Sequence, residues 1–281
     1  MVYQWYPGHM TKARRMMEED VKAVDLVIEL LDARVPIASK NPDIDRIAGN
    51  KQRLIILNKA DLSDDIENKK WCAYYEKQGF TVLLINAKQS GIGSRVLNAA
   101  TKACREKIER DQKRGIVNRP IRAMVVGIPN VGKSTFINSL AGKACAQTGN
   151  KPGVTKGKQW IRLNKGLELL DTPGILWPRF ENQEVGLHLA FIGSINDEIL
   201  DEQELAFELI KFMKEKYPSK LNERYGITLS EDAFEDMKNI AIKRGCLLKQ
   251  SEPDTRKASK LILDDFRSGK LGNITIEPMI S

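Results

Sequence analysis

The stretch Gly127-Ile-Pro-Asn-Val-Gly-Lys-Ser134 decides how this 281-residue chain is read. It satisfies GxxxxGK[ST] at every required position. The apolar run Arg122–Val126 before it predicts a buried strand, and Thr135–Leu140 after it predicts a helix. In that context the glycines let the backbone turn sharply, so that N–H groups of the loop and of the helix start converge on a polyphosphate. Asn130, Val131, Gly132, Lys133, Ser134 and Thr135 are the expected cradle. Lys133 is expected to reach the β- and γ-phosphate oxygens and to act in catalysis there, and the Ser134 hydroxyl to ligate Mg²⁺.

Downstream, Leu167–Leu170 predicts a strand that pairs as a hairpin with Gln159–Leu163 across Asn164-Lys165-Gly166. It leads into Asp171-Thr-Pro-Gly174. A carboxylate at that strand end can hold the Mg²⁺ through water, and the Gly174 N–H can sense a γ-phosphate. The intervening Lys151-Pro-Gly-Val-Thr155-Lys-Gly157 is loop-like and carries one hydroxyl. Thr155 is expected to complete the metal shell when triphosphate is bound, with Thr148 as the competing hydroxyl.

Upstream, Asn58-Lys59-Ala60-Asp61 closes the predicted strand Arg53–Leu57. A carboxylate there accepts two hydrogen bonds from guanine, one from the ring imino group and one from the exocyclic amine. Adenine has no such donor pair and would leave the acid unpaired, a penalty of about 1–3 kcal/mol or more. Asp61 is the expected guanine reader, with Lys59 along the base face and Asn58 tying this loop to the phosphate loop. Asn86 and Ala87, after the predicted strand Thr81–Ile85, can offer a backbone N–H to the guanine carbonyl. Base loop, phosphate loop and switch therefore arrive in that order along the chain. All leave the carboxyl ends of strands in one parallel sheet, where ligands of such sheets bind. The order is that of a circularly permuted guanine-nucleotide domain.

A further strand, Asp25–Leu31, and the helix-compatible stretches Thr11–Val24, Asp43–Asn50 and Asp64–Gln78 complete the alternation. Gly93–Val117 repeats Leu97, Ala100, Cys104 and Ile108 at helical spacing, predicting a helix that runs out into a loop near Gly115 and closes the old termini. After Gly174 the chain reads helical from about Glu184 to Gly269, with breaks near Pro218, Gly226, Gly245 and Pro253. The expected fold class is α/β: a circularly permuted P-loop GTPase domain, 1–178, built on a mostly parallel six-stranded sheet flanked by helices. A smaller all-α domain, 179–281, follows.

Hydrophobic residues make up 42% of the chain and charged residues 29%, enough apolar material for a real core, so wholesale disorder is excluded. Lys and Arg number 45 against 37 Asp and Glu, a mild excess of +8 that suits a polyanionic partner. No apolar run approaches a membrane span, and the start lacks a signal peptide's pattern. Four scattered cysteines without a CxxC pair predict a reducing, cytoplasmic setting without structural zinc.

These motifs resemble the circularly permuted GTPases that assist ribosome assembly, and most closely their RbgA (YlqF) group. The resemblance is carried by Trp5-Tyr-Pro-Gly-His-Met10, Asp32-Ala-Arg34, Asn58-Lys-Ala-Asp61, Gly127–Ser134, Pro152-Gly-Val-Thr155 and Asp171-Thr-Pro-Gly174, and it spans nearly the whole chain. It implies a monomeric, GTP-hydrolysing factor that binds rRNA of the large-subunit precursor and is released after hydrolysis. A signalling switch that binds protein and no RNA is the alternative. Ile175 stands where many GTPases place a water-orienting Gln. In this group the His of the N-terminal motif is implicated in catalysis, which carries that role to His9; anchoring the N-terminal arm or touching RNA is its other reading. His188, on an apolar stretch, reads as packing. Asn130 matches the position that helps hold K⁺ in potassium-activated relatives, and an ordinary loop role is nearly as good a fit. For RNA contact the candidates are Arg256, Lys257 and Lys260, which can share one helix face, and Lys12, Arg14 and Arg15 near the N-terminus.

Overall fold

Strand β1 (Leu26–Asp32) is buried along its whole length, as a central strand covered on both faces must be. The computed structural model describes residues 6–117, 119–142, 159–163, 166–180 and 182–279. It divides into a sheet unit, 6–180 with 275–279, and a helical unit, 182–274. In the sheet unit β1 is joined by β2 (Gln52–Asn58), β3 (Thr81–Leu84), β4 (Ile121–Gly127), β5 (Gln159–Leu163) and β6 (Leu167–Asp171). The strand order is β3-β2-β1-β4-β6-β5. Every pairing is parallel except that of the β5–β6 hairpin. The register puts Asp32 beside Asn58, Leu30 beside Gly127 and Val125 beside Asp171. The loops after β1, β2, β4 and β6 therefore open on one edge of the sheet.

The connecting helices are α1 (Gly8–Asp20), α2 (Pro42–Ala48), α3 (Asp65–Lys77), α4 (Ile92–Ala103), α5 (Arg105–Lys113) and α6 (Lys133–Ala141). Two depart from expectation. Helix α1 begins at Gly8, three residues early, because its buried stripe of Met10, Ala13 and Met17 starts there. His9 thus lies in its first turn and not in an arm before it. The single helix expected over Gly93–Val117 is two, bent at Cys104 (φ −98°, ψ 13°). Helix α5 buries no residue, so no apolar stripe holds it in line with α4.

The helical unit holds α7 (Gln183–Phe191), α8 (Glu202–Lys216), α9 (Pro218–Tyr225), α10 (Ala233–Lys243) and α11 (Thr255–Arg267). Side chains of Asn182, Asp201, Asp232 and Asp254 cap α7, α8, α10 and α11 by accepting first-turn N–H groups. Leu205, Leu209 and Met213 of α8 and Ile262, Leu263 and Phe266 of α11 are part of its core. Arg267 is spent internally: it donates to the carbonyls of Phe191 (3.0 Å) and Ala190 (2.8 Å) and pairs with Asp197 at 2.7 Å.

The sequence reading assigned everything beyond 178 to the helical domain, but 275–279 belongs to the sheet unit. There Thr275 Oγ1 accepts from Asp64 N (3.0 Å), and Ile276 N donates to Arg34 O (2.8 Å). The Glu277 carboxylate accepts from Ile37 N (2.7 Å) and Ala38 N (3.1 Å), and its carbonyl accepts from Trp71 Nε1 (2.8 Å). Met279 packs on the cluster around Leu57, Trp71 and Tyr75. Five residues with one buried isoleucine among them, Ile276, give no helical or strand periodicity, which is why pattern alone could not place them.

Candidate functional site

The turn after β4 depends on two positive-φ residues, Asn130 (φ 58°) and Gly132 (φ 99°), which fold the backbone back over the start of α6. A Cβ on Gly132 would lie 2.5 Å from Asn58 Nδ2, so glycine is required by the approach of the neighbouring loop as well as by φ. Helix α6 begins at Lys133, which leaves the first-turn N–H groups through Thr135 directed at the loop; Phe136 N makes the first intrahelical bond, to Gly132 O at 2.9 Å. Ser134 and Thr135 are half-buried in that turn.

Lys133 is buried and donates to the carbonyls of Gly127 and Ile128, at 3.3 Å each. Burial pushes its ammonium down to about 8, with the charge of Asp171 pulling the other way. The side chain is thus stored against the loop it would leave to meet a phosphate. Asp171, buried at the end of β6, stands beside Val125, and Thr172 Oγ1 donates to Val125 O at 2.7 Å. Gly174 follows closely: a Cβ there would sit 2.8 Å from Lys133 Nζ and 2.9 Å from the Pro129 backbone. Ser134 and Asp171 are oxygen donors of the kind Mg²⁺ takes beside nucleotide phosphates. Among the described residues no three His, Cys, Asp or Glu side chains form a metal site of their own. Thr155 and Thr148, proposed for the metal shell, lie outside the described residues, as does Trp5.

The loop after β2 meets the phosphate loop directly. Asn58 is buried, donates to Val131 O (2.9 Å) and accepts from Ala87 N (2.9 Å). One amide thereby joins three loops. Lys59 adopts φ 59° and sends its ammonium to Asn130 O (2.8 Å) and to Asp32 Oδ2 (2.9 Å). Ala60 N donates to Ile85 O at 3.1 Å, drawing the loops after β2 and β3 together. Asp61 lies exposed in the short turn Ala60–Leu62, and Asn86 is occupied in a local turn, accepting from Lys88 N at 2.8 Å. The base and phosphate segments, some seventy residues apart in the chain, adjoin in space.

Several groups here were not given roles by motif reasoning. Asp32 is fully buried and bound by Arg34 Nε (2.9 Å) and Nη2 (2.8 Å). Burial would raise its carboxyl, but the charges of Arg34 and Lys59 outweigh that and hold it well below the usual carboxylate range. An acid and an arginine closing a buried strand, Asp32-Ala-Arg34, were the available signal. Asn41 Nδ2 donates to Ile175 O (3.1 Å), and Ile175 N lies 3.4 Å from Gly127 O. Ile175 is fully buried, so its side chain is packing material and not a water-orienting group. Leu176 N donates to Met10 Sδ at 3.4 Å, which seats the first turn of α1, with exposed His9 next to Met10, on the segment following Gly174.

In the helical unit, Arg256, Lys257 and Lys260 lie exposed on one side of α11, Lys260 3.6 Å from Glu202. His188 stacks on Phe191 at 6.5 Å between centroids and lies 3.9 Å from Glu184, in keeping with packing. Near the N-terminus Lys12 and Arg15 are exposed, while Arg14 pairs with Glu18 and Asp43. Among the described residues no helix is long and apolar enough to cross a membrane.

A family model described as 50S ribosome-binding GTPase matches residues 122–232, from β4 into the helical unit. The base loop precedes that match, as a permuted order requires. Ribosome biogenesis GTPase A of Bacillus cereus is 50% identical over 279 residues, covering 99% of this chain and 94% of the relative. The protein of the same name from Thermotoga maritima is 35% identical, covering 97% and 93%. Among solved structures, GNP-bound YlqF from T. maritima superposes with a TM-score of 0.65 at 30% identity, covering 95% of this chain and 98% of that one. A GDP-bound YlqF gives 0.67 at 29%, covering 94% and 99%.

Proposed function

This chain belongs to the ribosome biogenesis GTPase A family and is a GTPase, and on that premise we propose that it is a cytoplasmic, monomeric assembly factor that binds the rRNA of the large-subunit precursor in its GTP state and leaves after hydrolysis. The observation that supports the nucleotide part is the Asn58 amide spanning Val131 O and Ala87 N, which holds the expected base and phosphate loops side by side. Asp61 reads guanine, Lys59 covers the base, and Ala87 supports the loop offering an N–H to the guanine carbonyl. The backbone from Asn130 to Thr135 holds the phosphates. Lys133, released from its two carbonyls, neutralises charge on the β- and γ-oxygens; a phosphate beside it restores full protonation. Ser134 and Asp171, with Thr155, would hold Mg²⁺, which when bound draws charge off the bridging and terminal oxygens. Gly174 N–H reports the γ-phosphate.

With Ile175 buried, the water-orienting group comes from elsewhere. His9, carried by a helix turn seated on Leu176, takes that role in this reading. The His9→Ala variant should bind GTP nearly as tightly as the parent while particle-stimulated hydrolysis falls about ten-fold or more; unchanged stimulated turnover removes the assignment. Asn130 is assigned to K⁺, so hydrolysis should run faster in KCl than in NaCl, and equal rates remove that part. The switch leads within a few residues into the helical unit, whose α11 face of Arg256, Lys257 and Lys260 is suited to tracking phosphates. Co-sedimentation with large-subunit precursors in GDP and in a non-hydrolysable GTP analogue tests the whole. Binding should be stronger with the analogue and fall with salt. Equal binding in both states refutes nucleotide control, and no binding leaves the RNA-free switch.

A further inference from the structure

The helical unit carries a second surface of opposite sign to its basic helix. Helices α7 and α8 and the turn Glu231–Ala233 line a groove of about 720 Å³. Its apolar wall is Leu187, Phe191, Phe207 and Phe212; Phe207 and Phe212 are only half-buried. The rim bears five carboxylates, Glu184, Glu208, Glu215, Glu231 and Asp232, against two ammonium groups, Lys211 and Lys214. Lys214 is committed to the buried Asp236 at 2.7 Å and to Ser230 O at 2.8 Å, so it offsets little of that charge. Lys211 pairs with Glu208 at 3.1 Å and lies 5.5 Å from the Phe207 ring.

We infer that this groove docks a Lys/Arg-rich polypeptide segment bearing one or two large apolar side chains, of the kind presented by basic protein arms of a ribonucleoprotein particle. Charge complementarity decides the occupant. Although the chain carries an excess of +8, carboxylates outnumber ammonium groups around this aromatic-lined groove. Phosphate would be repelled there, whereas an ammonium or guanidinium finds several acceptors, and its stem or an adjacent apolar residue covers the exposed ring faces. Half-buried phenylalanines in a concave site are the anchor pockets from which polypeptide recognition draws most of its energy. Arms that thread nucleic acid are basic because they neutralise phosphates, so a protein on such a particle meets them routinely. The same unit thus addresses RNA with α11 and protein with the α7–α8 groove.

The inference rests on the ribosomal reading above. Its test is the affinity of the full chain, loaded with a non-hydrolysable GTP analogue, for purified large-subunit precursors. The double variant E215K/E231K reverses two exposed rim charges that lie outside the nucleotide site. With a basic polypeptide in the groove, affinity falls about ten-fold while GTP hydrolysis by the free chain is unchanged. Carbodiimide coupling of the parent complex should then join Glu208, Glu215 or Glu231 to lysines of a particle protein. If affinity rises instead, nucleic acid occupies the groove and the inference is overturned. Unchanged affinity, or groove carboxylates uncoupled while other carboxylates of the bound chain do couple, overturns it as well. Failure of the parent chain to co-sediment at all refutes the ribosomal reading, and this inference with it.

Discussion

Replacing Asn58 by alanine removes an amide that touches the loops after β2, β3 and β4 together. Two hydrogen bonds disappear, to Val131 O and from Ala87 N, both 2.9 Å and both between buried groups. Each orphaned partner costs about 1–3 kcal/mol, so the loss should be about 2–6 kcal/mol in total, less whatever a water entering the gap restores. Trp71, Trp160 and Trp177 lie in the sheet unit and the described part of the helical unit has no tryptophan, so urea unfolding followed by tryptophan fluorescence reports chiefly on the sheet unit. With the loops uncoupled, affinity for GDP and for a GTP analogue should drop by the same factor, about ten-fold or more, because Asn58 touches no group that distinguishes them. The Asn58→Asp variant keeps an acceptor for Ala87 N but sets a carboxylate against the Val131 carbonyl, and should be no better than alanine. A destabilisation below about 0.5 kcal/mol with unaltered GDP affinity would refute the bridging role.

Asp32→Asn leaves Arg34 and Lys59 facing an amide. It should destabilise the sheet unit by about 3–5 kcal/mol at pH 7. Because the folded-state carboxyl is held below its unfolded value, its contribution is complete above about pH 4 and fades as pH falls further. The gap between parent and variant should therefore narrow between pH 4 and pH 2, by at most about 1.4 kcal/mol per pH unit; a constant gap refutes it. Gly132→Ala drives a methyl against Asn58 Nδ2, which the structure places 2.5 Å away, and should abolish tight GDP binding by calorimetry. Glu277→Ala should cost about 1–3 kcal/mol and speed amide exchange at Ile37 and Ala38, the two N–H groups its carboxylate holds; unchanged exchange there would contradict the assignment.

The central strands were readable because burial on both faces turns them into continuous apolar runs, and β1, β2 and β4 match their predicted spans to within a residue or so at each end. The phosphate loop was readable because its backbone tolerates so few residue types: Gly132 has no substitute where φ is positive and Asn58 passes behind it. The bend at Cys104 was not, since Ile108 keeps the helical period while the rest of α5 is charged or polar. Nor were the ties that shape the site from afar. Lys59 to Asp32, Asn41 to Ile175 and Met10 to Leu176 join residues 27 to 166 positions apart, and local pattern carries no record of such distances. His9 could be singled out only through the family's motif, because an exposed histidine in a first helical turn has no signature of its own.

The return of Thr275–Met279 to the sheet unit makes that unit discontinuous, with all of 182–274 inserted between its two parts. On an elongating chain, Ile37 N and Ala38 N go without the Glu277 carboxylate until the entire insertion has been synthesised. A half-made polypeptide can therefore lay down every central strand and still lack this last tie, which arrives only once the inserted helices exist.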